Sequence, residues 1–281
     1  MAIKPLKNLL GHVDGDNLLY HLLTDLIRQG GSNGQWLVDH IVADCSVWWD
    51  PKVYAECPVL LPWAVRDPKC RGNKSKALPD EWGAPNASGY FRDDNSLVKG
   101  LVKSLEVRGP RGGYMTGRRL GKGWVAAHIW RDNDGDTLAS RDPRLYTFVP
   151  NLVWLPRQIA KLSDIEGGPV QTALKSISFS LYRNAQASPS RHQVAEQSWG
   201  YLSAPPSISA VDESRLSFFG GTSETVKARS GRTSEVILAL ETLEKGGKFG
   251  SKVISTRYSD GLPSISPASR QKLLWELRRH I

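Results

Sequence analysis

The chain predicts an α+β protein, mostly helical, with a small strand–loop–strand–helix unit near its centre. Three observations carry that prediction. Apolar residues recur at helical spacing near both ends of the chain, as in Leu18, Leu19, Leu22, Leu23, Leu26 and Ile27. Two short apolar runs rich in β-branched and aromatic residues stand close together between 124 and 149. Hydrophobic residues make up 40% of 281, enough for a real core and too many for wholesale disorder.

The elements follow in order. Asp16-Asn17 can cap a helix that runs through LLYHLLTDLIRQ and stops at Gly30-Gly31. A second helix is expected over QWLVDHIVADC from Gln35. From Trp48 to Pro85 six prolines, at 51, 58, 62, 68, 79 and 85, forbid long helices and central strands. That stretch should still be ordered, because Trp48, Trp49, Trp63 and Trp82 are costly to leave in water. A capped helix is expected over 93–107, with Lys99 and Lys103 one turn apart. Trp124–Trp130 and Leu145–Val149 read as strands, and Pro156 opens a helix through Leu162. Residues 185–210 look like a long connection or a loose helix. Short helices are expected within 211–249, chiefly TSEVILALETLEKGG capped at Thr233 or Ser234. A last helix starts at Ser266-Pro267. The organisation expected is a helical N-terminal segment (1–65), a basic central region carrying the ββα unit (66–168), and a helical C-terminal region (169–281).

The formal net charge is +9, and it is unevenly spread. Residues 1–65 carry net −3 and residues 66–122 carry net +7, with 13 basic side chains against 6 acidic. Residues 123–164 balance, and 165–281 carry +5. A concentrated surplus points to a polyanion, of which nucleic acid is the commonest. Within the basic zone, 108–122 contains Arg108, Arg111, Arg118, Arg119 and Lys122 and no acid, interleaved with glycines and Tyr114. Such a loop brings its backbone and cations close to phosphates, and Lys99 and Lys103 extend the same surface.

No apolar run approaches the roughly 18 residues of a membrane span. The N-terminus shows no basic leader joined to a long apolar run, and three cysteines (Cys45, Cys57, Cys70) do not form a disulfide framework. A cytoplasmic location is expected. His40 with the three cysteines has the types for zinc, without the tight Cys-x-x-Cys spacing. The aspartates at 132, 134 and 136 fail as an EF-hand, because Pro143 stands where a bidentate Glu is required. Phosphate-loop, GxSxG and dinucleotide fingerprints are absent from the sequence.

In 123–164 the order strand, His128, loop, strand, Asn151, helix resembles the HNH (ββα-metal) nuclease family, and Asn151-Leu152-Val153-Trp154-Leu155 is similar to that family's lead into its helix. The resemblance covers about 40 residues. It implies a metal-dependent DNA endonuclease of the restriction or defence type. His128 would act as general base on water and Asn151 would hold the histidine loop. The family's ligand before the histidine is Ala127 here, and its helix ligand is Ala160. Asp164 and Asp136 are therefore the expected ligands of a divalent ion, Mg²⁺ or Mn²⁺, and Lys161 can stabilise charge on the phosphate without one. The expected partner is double-stranded DNA, and a palindromic target would imply a two-fold homodimer. The alternative is a non-catalytic nucleic-acid-binding protein that uses the basic loops and exposed aromatics.

Overall fold

A computed structural model describes residues 24–25, 27–67, 88–110, 113–132, 138–206, 211–248 and 261–281. Arg111, Asp136, Cys70, Trp82 and most of the helix expected from Asp16 lie outside the described residues.

The protein is α+β. Helix α1 (Ser32–Cys45) follows Gly31, whose φ of 53° breaks the helical turn before it. Strand β1 (Val47–Trp48) and helix α2 (Pro51–Glu56) come next. Asp50 caps α2 by accepting from the Lys52 amide at 2.8 Å, with Pro51 at the first helical position. The proline-rich stretch after it is held by backbone bonds to a distant segment. Leu60 N–H donates to the Thr147 carbonyl at 3.0 Å, Leu61 N–H to Thr147 Oγ1 at 2.8 Å, and Val149 N–H to the Pro58 carbonyl at 2.8 Å. Order without regular structure arises there because the polar backbone finds partners elsewhere.

Strands β2 (Ala64–Arg66) and β3 (Phe91–Asp93) form a parallel pair. The helix expected over 93–107 is confined to α3 (Ser96–Leu101). Its start is fixed by the buried Asp93 carboxylate, which accepts from the Ser96 and Leu97 amides. Its end is forced because Val107–Arg108 is strand β4, paired with Phe219 and Phe218.

The second strand of the central unit also differs from expectation. Residues 145–149 form turns and a 3-10 helix begins at Val149, while the strand is β6 (Leu152–Pro156). It pairs antiparallel with β5 (Trp124–His128), with His128 opposite Leu152, and is followed by helix α4 (Arg157–Leu162). Asn151 thus precedes the second strand instead of following it. The apolar run 145–149 satisfies its backbone through local turn bonds to Asp142 and, from Thr147 on, through the tethers to 58–61 instead of an extended ladder, and a five-residue run cannot announce that choice by periodicity.

The C-terminal third contributes α5 (Pro169–Arg183), α6 (His192–Trp199), β7 (Ser217–Phe219), α7 (Thr222–Glu244) and α8 (Pro267–Arg278). Where short helices are expected in 211–249, the structure has a 3-10 helix (Glu213–Arg215), strand β7 and one long helix, α7, running through Gly231. Thr233 does not cap: its hydroxyl donates to the Arg229 carbonyl at 3.0 Å, four residues back, as a threonine inside a helix does. Ser266 caps α8 as expected, accepting from the Ser269 amide at 3.2 Å.

Five strands form one mixed sheet in the order β4-β7-β1-β6-β5, with β1 parallel to β7. All three sequence segments contribute strands to it. Leu152–Leu155 of β6 are buried on both faces. Helix α1 packs on α5, and α7 packs on α2 and α8. The centre is aromatic: Trp154 meets Trp49 edge-on at 5.6 Å and Phe219 at 4.9 Å between ring centroids. Trp48, Trp49 and Trp63 are buried, as their cost in water demands. Among the described helices none is long and apolar enough to cross a membrane.

Candidate active site

His128 ends β5, at the end of the hairpin where the chain leaves for the 129–151 excursion. The residue is half-buried. Its Nε2 lies 2.9 Å from the Tyr146 carbonyl oxygen. A carbonyl can only accept, so Nε2 carries the hydrogen and Nδ1 keeps the lone pair of a base. The Tyr146 ring stacks on the imidazole with centroids 5.4 Å apart and planes 19° apart. The Tyr146 hydroxyl in turn donates to the buried Asp93 carboxylate at 2.7 Å. Asp93, Tyr146 and His128 therefore form a chain that fixes both the tautomer and the orientation of the base.

Asn151 is wholly buried and uses its side chain on two backbone segments. Its Oδ1 accepts from the Trp130 amide at 2.8 Å and its Nδ2 donates to the Leu145 carbonyl at 3.0 Å. Trp130 lies two residues after His128, and Leu145 lies one before the tyrosine that grips His128. The amide thus ties together the two chain segments that hold the imidazole.

Around His128 is a cavity of about 250 Å³, lined also by Arg66, Trp130, Arg131, Ser140 and Asp164. Arg66 comes from the end of β2 and Asp164 from the turn after α4. Arg131 Nη1 donates to the Asp164 backbone carbonyl at 2.8 Å, which closes one side. His128 is held down to about 3, first by desolvation and then by the Arg66 guanidinium, while the Tyr146 carbonyl pulls upward.

Unfolded, this imidazole takes a proton near its ordinary 6.5; folded, it resists until far lower. Between those values the unfolded chain binds more protons, so stability falls as pH falls from about 6.5 toward 3. His280, also buried and held below its ordinary range, acts in the same direction. Melting followed by circular dichroism should show Tm dropping steadily from pH 7 to 4.5, with a shallower slope in His128→Gln. A Tm independent of pH across that range contradicts the assignment of a buried neutral imidazole.

Of the residues singled out in the sequence, His128 and Asp164 share the cavity and Asn151 braces it from behind. Lys161 is exposed on α4 and is not in the cavity wall. Among the described residues no group of three His, Cys, Asp or Glu side chains gathers as a metal site. His128 and Asp164 beside two guanidinium groups do not by themselves complete a divalent-cation site, and Asp136 lies outside the described residues. Cys45 and Cys57 are free thiols, each pushed upward by burial, and His40 Nδ1 bonds to the Trp36 carbonyl at 2.7 Å.

The basic loop stands apart from the cavity. Its Tyr114 and Met115 lie beside Trp124, which begins β5, whereas His128 ends it. Four residues of strand separate the two by roughly 13 Å. Tyr114 is 83% exposed with the Arg118 guanidinium 4.3 Å from its ring centroid. Arg108 pairs with Asp50, and Arg119 lies 3.7 Å from Glu106. Lys99, Lys103, Arg118 and Lys122 are exposed and meet no carboxylate among the described residues. Arg66, Arg131, Tyr146 and Asp93 join the site without a sequence signal. Arg66 opens the basic zone and Arg131 follows His128 by three, but neither spacing announces a shared cavity.

Comparison with protein-family models, with curated proteins and with solved structures returned no match.

Proposed function

We propose that the protein is a phosphodiester hydrolase acting on double-stranded DNA, with the cavity at His128 as its centre. The observation that carries this is the tautomer-fixed imidazole, Nε2–H on the Tyr146 carbonyl, set in a small cavity with Arg66 and Arg131. A phosphodiester bound between the two guanidinium groups finds charge-assisted donors for its non-bridging oxygens. Water attacks phosphorus, His128 Nδ1 takes its proton, and the bond to the leaving sugar oxygen breaks, that oxygen being protonated from solvent. Arg66 and Arg131 meet the negative charge that builds on the phosphoryl oxygens. A divalent ion, where one joins, would neutralise the same charge, with Asp164 the described acidic residue in the cavity wall.

An imidazole held near 3 is a weak base in the empty site, and the cause is partly Arg66. A phosphodiester anion offsets that field, so binding should raise the value toward the working range. NMR titration of His128 with and without a phosphorothioate dinucleotide is the check. An unchanged value on binding contradicts the placement of the phosphate beside Arg66.

The direct test is incubation of the purified protein with supercoiled plasmid, with Mg²⁺ or Mn²⁺ and then with chelator. Nicking or linearisation supports hydrolysis, and its loss with chelator supports a metal-dependent enzyme. A mobility shift with intact DNA supports the second reading, a non-catalytic DNA-binding protein. That reading draws on the exposed Tyr114–Arg118 pair and the exposed lysines, which need no cavity. For either reading, Lys99→Ala with Lys103→Ala and Arg118→Ala should weaken binding and flatten the log K against log salt plot by about one unit for each phosphate no longer neutralised. An unaltered salt slope removes those three residues from the interface.

A further inference from the structure

A second cavity, of about 380 Å³, shares a wall with the first. Val65 of β2 lines the second and its neighbour Arg66 lines the first; Ser140 lines the first and its neighbour Arg141 the second. Successive side chains of a strand point to opposite faces, so β2 is the partition between them. The size lies within the roughly 300–1,000 Å³ usual for small-molecule sites.

Its walls combine two chemistries. Val59, Val65 and Val194 with Tyr90 give an apolar floor. Four cations stand around it, Arg141, Arg144, Lys272 and Arg279, against one wall carboxylate, Glu276. Two of them are committed. Arg144 donates through Nε to Asp142 at 2.8 Å and lies on the Tyr201 ring at 3.8 Å. Arg279 donates to Gln197 at 2.7 Å and to Glu276 at 3.3 Å. Arg141 and Lys272 are exposed, and among the described residues no ion pair engages either. A mixed cavity with an apolar patch and two exposed cations in its wall fits a base joined to a phosphate.

We propose that this second cavity seats a nucleotide of the strand being cut, its base against Val65 and Tyr90 and its phosphate on Arg141 and Lys272. This deepens the hydrolase reading and rests on it for the placement of the scissile phosphate next door. The shared chemistry is a phosphorylated nucleoside, supplied either by the strand or as a free nucleotide.

The test is equilibrium binding to the full chain carrying His128→Ala, so that cleavage plays no part. The probes are a fluorescently labelled DNA duplex of 12 base pairs and deoxyadenosine 5′-monophosphate. Arg141→Glu with Lys272→Glu should weaken both by about tenfold or more. Lys245→Glu with Lys248→Glu makes the same change in charge on exposed lysines at the end of α7, and should cost less than about threefold. Loss for the mononucleotide with the duplex unaffected supports the site and assigns it to free nucleotide. Equal affinities for both probes in the parent and the Arg141/Lys272 variant, or an equal loss in the Lys245/Lys248 control, overturn it. The hydrolase reading fails separately, by absence of cleavage in the plasmid assay, and that outcome leaves this binding measurement intact.

Discussion

His128→Ala is expected to lower single-turnover cleavage of DNA by about 10²–10⁴-fold, the range a positioned general base supplies. Affinity for DNA should stay within about twofold, because the cations proposed to meet the backbone are untouched. The side chain packs against Tyr146 and donates a single hydrogen bond, so its removal leaves one carbonyl next to a cavity that water can enter. The loss of rate should therefore come without unfolding, which circular dichroism verifies on the same preparation. Tyr146→Phe offers a graded companion. It keeps the stacked ring and the carbonyl but removes the hydroxyl on Asp93, so the base is oriented less firmly and kcat should fall while KM holds. A His128→Ala protein that cleaves at the parental rate removes the imidazole from the mechanism.

Asn151→Ala should be the most damaging substitution for stability at the site. It orphans the Trp130 amide and the Leu145 carbonyl, both in dry surroundings, at roughly 1–3 kcal/mol for each group. At roughly 2–4 °C per kcal/mol for a domain of this size, Tm should fall by about 4–24 °C. Asn151→Asp separates the two bonds: it keeps an acceptor for Trp130 and sets a carboxylate oxygen against the Leu145 carbonyl, so it should be no milder. Cleavage should fall with either, because the segments on both sides of His128 lose their common tie. A Tm within about 1 °C of the parent would mean that these two bonds contribute nothing net.

Some of this is legible in the sequence and some is not, for identifiable reasons. The α8 cap is legible because Ser266-Pro267 acts locally, through one hydroxyl and one amide. The first strand and the start of α4 are legible from an apolar run and Pro156. The second strand is not, because residues 145–149 and 152–156 are both short and apolar, and the choice between them is made by Thr147 and Val149 bonding to residues nearly ninety positions away. The full length of helix α7 is hidden for the opposite reason, since Thr233 can cap or bond backward and only its neighbours decide. At the site, His128 and Asn151 stand out by residue type, although Asn151 precedes the second strand instead of following it. Arg66 does not, because sixty residues and a parallel strand pair intervene before it faces His128. The charge surplus marks the basic loop, yet that loop folds back on β4 and lies beside Trp124 at the start of β5, roughly 13 Å of strand away from His128 at its end.

The role proposed for the His128 imidazole is that of the base that activates water in this cavity. Chemical rescue of His128→Gly tests it most directly, by single-turnover cleavage of a labelled duplex with and without added imidazole. The expected rate is reduced by about 10²-fold or more, rises with imidazole concentration and follows the fraction of neutral imidazole as pH is varied. A glycine variant that cuts as fast as the parent, or one whose lost rate does not respond to imidazole in a folded protein, contradicts it.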